Sequence, residues 1–141
     1  MRVRPLWLSI IFFTLAACGE ELPEKPELFV DRESLGFGQE FGLNTYVNQE
    51  VTESLLIENR GLEPLEITEV TKSGATQFTL TLPEPLAKGE PVRLEYGKRT
   101  FVQVAFKPSS ARKYEAKLLI KSNAANTPEK EILLSGVGVS P

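Results

Sequence analysis

The chain has 141 residues of ordinary apolar content, enough for one domain plus a targeting segment. It carries 19 acidic against 16 basic side chains and no histidine. That balance argues against nucleic-acid binding, which needs a basic face, and the missing histidine removes Ser-His chemistry and histidine-based metal sites.

The N-terminus opens with the basic stretch Met1-Arg2-Val3-Arg4, followed by an apolar run, Leu6–Ala17. That run is shorter than the ~20 residues a spanning helix needs. It ends in Leu15-Ala16-Ala17-Cys18-Gly19, a small-residue cleavage site directly before the sole cysteine. Residues 1–19 resemble a bacterial lipoprotein signal. The resemblance implies cleavage after Ala17 and a Cys18 that carries a thioether-linked diacylglycerol and an N-acyl chain of the palmitate type. The alternative is an ordinary secretory signal cut near Ala16-Ala17. A lone exposed thiol in an oxidising compartment is a liability that acylation removes, and several acyl chains anchor stably where one is marginal. By the sorting rule of enteric-type bacteria, glycine rather than aspartate at position 19 favours the outer over the inner membrane. Without Arg2 and Arg4 the remaining chain holds 14 basic against 19 acidic side chains, a net of −5.

Gly19–Glu27 is acidic and carries two prolines, so it reads as an extended, solvated linker with a reach of about 28 Å. Leu28 with Val30, then Leu35 with Phe37, alternate as two short strands. Gln39–Glu50 has no clear period and reads as a loop with a candidate strand at Thr45–Val47. Val51–Asn59 is a strand with Leu55 and Ile57 inward, and Asn59-Arg60-Gly61 signals a turn. Leu65–Val70 follows, then a polar stretch, Thr71–Thr76. Gln77–Leu82 alternates through Phe78, Leu80 and Leu82 until Pro83. Leu86–Glu90 reads as a turn, and Pro91–Tyr96 alternates through Val92, Leu94 and Tyr96, which suggests an extra hairpin. Thr100–Pro108 alternates most strongly, with Val102, Val104 and Phe106 on one face. It is expected to be the central core strand, ended by Pro108. Tyr114–Lys121 and Lys130–Val137 complete the set, the first with Ala116, Leu118 and Ile120 inward, the second with Ile132 and Leu134. No helix of useful length is expected. Seven or more short strands separated by turns predict an all-β sandwich.

Four segments in this order resemble the ASH (ASPM, SPD, Hydin) superfamily, in particular its bacterial choice-of-anchor D relatives. They are Leu35-Gly36-Phe37-Gly38; the strand, turn and strand through Asn59, Gly61, Pro64, Leu65 and Ile67; Val104–Pro108; and Tyr114–Gly138 with Ser122-Asn123 and Leu134-Ser135-Gly136-Val137-Gly138. The resemblance implies an immunoglobulin-like sandwich akin to major sperm protein and pilus-chaperone domains, with a role in scaffolding and protein contact and no shared catalytic residues. Gln39–Glu50 and Glu90–Arg99 depart from the family pattern as insertions, and insertions sit on loops that tend to carry function. The expected organisation is a signal peptide at 1–17, a lipid-anchored linker at 18–27 and an ASH-type domain at 28–139.

Asp31 is the sole aspartate, so no aspartate-rich calcium loop is present. No cofactor, metal ligand set, catalytic residue or small-molecule substrate is expected, although residue type alone leaves a paired-carboxylate glycosidase open. Charge is uneven: residues 20–69 hold 13 acidic and 3 basic side chains, residues 70–141 hold 6 and 11. Arg93, Tyr96, Lys98 and Arg99, with Lys88, form one basic loop and are the candidate partner contacts for an anionic partner. Lys107, Arg112 and Lys113 with Tyr114 form another, roughly 23 Å away at the far end of the strand between them. The leading expectation is a lipid-anchored cell-envelope protein that binds or scaffolds a membrane-proximal partner protein. An assembly chaperone acting by strand addition at a sheet edge is second, and an enzyme third.

Overall fold

A computed structural model of the chain describes residues 19–38 and 44–141. The acylation expected at Cys18, and the signal peptide before it, lie outside the described residues.

Among the described residues, ten strands form two packed sheets. The first has four antiparallel strands in the order β1 (Leu28–Val30), β4 (Val51–Asn59), β8 (Arg99–Phe106) and β6 (Phe78–Thr81). The second has the order β2 (Ser34–Phe37), β10 (Glu129–Val139), β9 (Lys113–Ser122), β5 (Leu65–Gly74) and β7 (Val92–Leu94). β3 (Asn44–Tyr46) pairs with β10 beyond β2, and both run parallel to it. This is the expected immunoglobulin-like sandwich, and β8 lies inside its sheet as the central-strand reading required.

Alternation on both sheets fills the core. Leu55, Ile57, Val102, Val104 and Phe106 project inward from the first sheet, and Leu65, Ile67, Leu118, Ile120, Ile132 and Leu134 from the second. Three phenylalanine rings meet at one end of it. Phe78 stacks on Phe106 at 4.7 Å between centroids, and Phe37 meets Phe78 edge-on at 5.3 Å. Gly136 on β10 makes room for this cluster, since a Cβ there would stand 2.5 Å from Phe106 Cε1.

Several local expectations change. β5 runs on to Gly74 into the polar stretch Thr71–Thr76, because its ladder with β9 holds the backbone whether or not the side chains are apolar. The segment at 86–90 begins as a one-turn helix, α1 (Glu84–Ala87), opened by Pro83 and Pro85 and anchored by buried Leu86. β7 and β8 are not a hairpin: β7 pairs with β5 in the second sheet while β8 lies in the first, so 90–99 is a crossover that adds an edge strand. β3 begins one residue before the expected strand and ends at Tyr46. Of the loop at 39–50, residues 39–43 lie outside the description. The remainder is tied down by Val47 N to Val139 O and Asn48 N to Pro108 O.

The linker differs most. Pro23–Glu27 lies along the turn after β4 instead of extending into solvent. Leu62 N donates to Pro23 O at 2.9 Å, Glu63 N to Glu24 O at 2.8 Å and Arg60 N to Glu27 O at 2.9 Å. Ala125 N donates to Pro26 O, and Pro26 is buried. Gly61 permits this close approach, because a Cβ there would collide with Lys25 O.

Candidate functional site

Two surfaces stand out, one at the end of the sandwich that receives the linker and one on the outer face of the first sheet.

The end is organised by Asn59, the last residue of β4 and fully buried. Its Oδ1 accepts from Gly61 N at 2.9 Å and Glu27 N at 3.3 Å, and its Nδ2 donates to Glu63 O at 2.8 Å and Leu94 O at 3.0 Å. Its backbone closes the next turn, with Gly97 N donating to Asn59 O at 2.8 Å and Asn59 N to Lys98 O at 3.0 Å. One side chain therefore joins the linker, the β4–β5 turn and the β7–β8 turn. Asn126 adds a second tie, exchanging hydrogen bonds with the backbone of Leu28. Asn123 adds a third, accepting from Glu66 N at 2.8 Å and donating to Pro64 O.

This scaffold positions the candidate contacts. Tyr96 projects from the β7–β8 turn and is half exposed, outside the core alternation expected for it. Lys98 and Arg99 follow in the same turn and at the start of β8. The arginines are compensated locally. Arg99 pairs with Glu58 at 3.3 Å, and Arg93 bonds Glu95 at 3.1 Å and Glu66 at 3.3 Å. Glu95, and then Glu66, hold the Arg93 guanidinium above its usual pKa. Arg60 pairs with Glu58 and stacks over the Phe29 ring. The second basic loop lies at the opposite end, where Arg112 covers the Tyr114 ring at 4.7 Å and Lys113 pairs with Glu115 at 2.8 Å. There the Tyr114 hydroxyl sits against the Ser109 and Ser110 hydroxyls and the Ser110 N–H, which draw its pKa down to about 7.

The second surface is legible only in the register. Leu56 faces Phe101, Ser54 faces Gln103 and Gln103 faces Thr81, while Thr52 faces Ala105 and Ala105 faces Thr79. These eight outward residues carry no charge, and Phe101 at their edge is 51% exposed. The paired Glu58 and Arg99 bound the patch at one end. The outer face of the second sheet is the opposite kind of surface, with ion pairs Lys117–Glu131 at 3.8 Å and Lys121–Glu69 at 3.3 Å. A shallow groove of about 670 Å³ crosses it beside Gly74 and Leu133. In the sequence Asn59 is visible as a turn residue and as part of the family pattern, but not as the residue that ties the linker down, and the face needs three strands in register before its missing charges form a patch.

Comparison with known proteins agrees with this architecture. Residues 26–136 match the family model described as HYDIN/CFA65/VesB-like, Ig-like domain. Among solved structures, the ASH/PapD-like domain 7 of human CEP192 superposes with a TM-score of 0.63 at 15% identity, covering 100% of this chain and 98% of that one. A protein of unknown function from Porphyromonas gingivalis W83 gives 0.62 at 16% identity over 83% of this chain and 49% of its own. The VesB protease of Vibrio cholerae gives 0.55 at 20% identity over 77% of this chain, which spans 31% of that protein. No curated protein matches.

Proposed function

This chain belongs to the HYDIN/CFA65/VesB-like Ig-like domain family, and from that premise we propose that it is a lipid-anchored cell-envelope protein whose ASH-type domain is a non-enzymatic module for binding a partner protein. The observation that carries the binding role is the uncharged outer face of the first sheet, with Phe101 half exposed at its edge. Protein interfaces are depleted of charge at their centre and enriched in aromatic residues, with polar residues at the rim. The pairing of Arg93 and Arg99 with carboxylates makes the basic loop a weaker candidate than this face, since exposed paired charges contribute little binding energy. The anchor is supported by the likeness of Leu15-Ala16-Ala17-Cys18 to a bacterial lipoprotein cleavage site. Gly19 favours the outer membrane.

Strand addition at a sheet edge has less to work with. Among the described residues the edges of the first sheet are β1 and β6, of three and four residues, and β7 has three. Short edges are poor templates for an incoming strand.

The experiment is site-specific photocrosslinking in native membranes from position 101, with position 119 on the second sheet's outer face as control. A single partner adduct from 101, absent from 119 and lost in Gln103→Lys, is the expected result. Equal adducts from both positions would overturn the assignment of this face.

A further inference from the structure

We propose that the end of the sandwich carrying Leu22, Leu62 and Tyr96 rests directly on the lipid surface, so that the domain is seated on the membrane in a fixed orientation and does not swing on a tether. The inference rests on the proposed anchoring at Cys18 and adds to it a contact surface.

The first observation is the length of free chain. The linker was expected to reach about 28 Å, but its docking onto the turn after β4 begins at Pro23. Only Gly19–Leu22 separate Cys18 from the docked part, a reach of about 12 Å in extended conformation. An acylated Cys18 lies in the headgroup layer, so the turn that holds Pro23 stands close to that layer.

The second observation is what this end exposes. Leu22, Leu62 and Tyr96 are 48%, 49% and 48% exposed. Single exposed apolar residues need no explanation. These three are carried by segments that bond to one another: Leu62 N to Pro23 O joins the first two, and Gly97 N to Asn59 O joins the third. Leucines reaching the acyl boundary and a tyrosine at the headgroup level match the composition of membrane interfaces.

The third observation is charge. The segments that carry these residues hold Glu20, Glu21, Glu24, Glu63 and Glu95 and also Lys25, Arg60, Arg93, Lys98 and Arg99, with Arg93 paired to Glu95 and both Arg60 and Arg99 paired to Glu58. Charges of both signs that pair with one another offer anionic lipid little net attraction, so the surface that fits is zwitterionic and the contact is apolar rather than electrostatic. The buried ties through Asn59 and the partly buried ones through Asn126 make the seat rigid.

The test uses the acylated protein purified from membranes and reconstituted into vesicles of phosphatidylethanolamine and phosphatidylcholine, with or without brominated acyl chains. Beyond residue 18 the chain has no tryptophan. Leu62→Trp, Tyr96→Trp and the distant control Leu133→Trp, each combined with Trp7→Phe, therefore report one position apiece. Flotation is read first. Flotation with strong bromolipid quenching at 62 and 96, little at 133, and no gain from added phosphatidylglycerol is the expected result. Flotation with 62 and 96 quenched no more than 133 overturns the seat and leaves the anchor standing. Failure of the wild type to float overturns both.

Discussion

Replacing Asn59 by alanine removes the side chain that ties the linker end together. Two of its four bonds, from Gly61 N and to Leu94 O, are buried, and the other two, from Glu27 N and to Glu63 O, lie partly open to water. A buried group left without a partner costs about 1–3 kcal/mol. The partly open groups find water instead, at about 0.5–1 kcal/mol each. The expected loss is therefore about 3–8 kcal/mol, a large part of the roughly 5–15 kcal/mol that holds a domain of this size. Urea unfolding of residues 19–141 gives the total, and native-state hydrogen exchange gives its distribution. The amides of Gly61 and Gly97 should exchange faster than global unfolding accounts for, while those of β9 follow the global change. Asn59→Asp keeps the acceptor but sets a carboxylate against two carbonyl oxygens. It should cost at least as much near neutral pH and recover in part at low pH, where the protonated carboxyl donates again. A loss under about 1 kcal/mol with Gly61 still protected would mean that water replaces the side chain, and that the linker end is held by something other than this residue.

Phe106→Ala should cost about 3–5 kcal/mol. Gly136→Ala should cost about 1–3 kcal/mol by driving a methyl into the same ring, and less than additively with Phe106→Leu in a double-mutant cycle of thermal melts. Tyr114 should ionise below the ordinary 10, near 7, read as tyrosinate absorbance that Tyr114→Phe removes. Because its folded pKa is lowered, the stability of the wild type relative to the phenylalanine variant should grow as pH rises from about 7 to 10 and level off to a pH-independent difference below that window. Equal pH profiles for the two proteins would contradict this. Cys18→Ser should abolish acylation and membrane partition. An unmodified mature N-terminus in the wild type, by mass spectrometry, would remove the anchor.

The strands whose apolar residues alternate strictly were legible. β8 and β9 announce themselves through Val102, Val104 and Phe106, and through Tyr114, Ala116, Leu118 and Ile120, because burial of one face imposes the period of two. The second half of β5 was not legible, since Thr71–Gly74 are held by backbone pairing and leave no apolar trace. The sheet assignment of β7 was not legible either: adjacency in sequence to β8 suggested a hairpin, whereas its partner is β5. The residues that carried the family resemblance, Asn59, Gly61 and Asn123, are the ones that bind loops together at the linker end. The motif was readable before its physical reason, which requires knowing that the linker docks there. The uncharged face was hidden for a different cause. Thr52, Ser54, Gln103 and Thr79 are unremarkable singly and become a patch only through the register of three strands.

On the proposed anchoring and seat, the linker end and the uncharged face together would fix how a partner is met. β4 ends at Asn59 and β8 begins at Arg99, both at the linker end, so the antiparallel pair extends from that end across the sheet. With that end seated on lipid, the first sheet stands upright, rising about 30 Å over the nine residues of β4. Phe101 and Leu56 then lie low on the sheet, near the membrane, and Ala105 and Thr52 higher. An upright face of this kind is presented sideways, toward neighbours in the same membrane, rather than outward to soluble proteins. A flexible tether would spend orientational freedom each time such a neighbour bound, whereas a domain already seated has lost most of it beforehand. Preorganisation of this sort raises affinity without adding a contact. On that proposal a small uncharged patch, modest by the standard of stable interfaces, would have a physical route to useful binding: confinement to the membrane plane would supply local concentration, and the docked linker orientation.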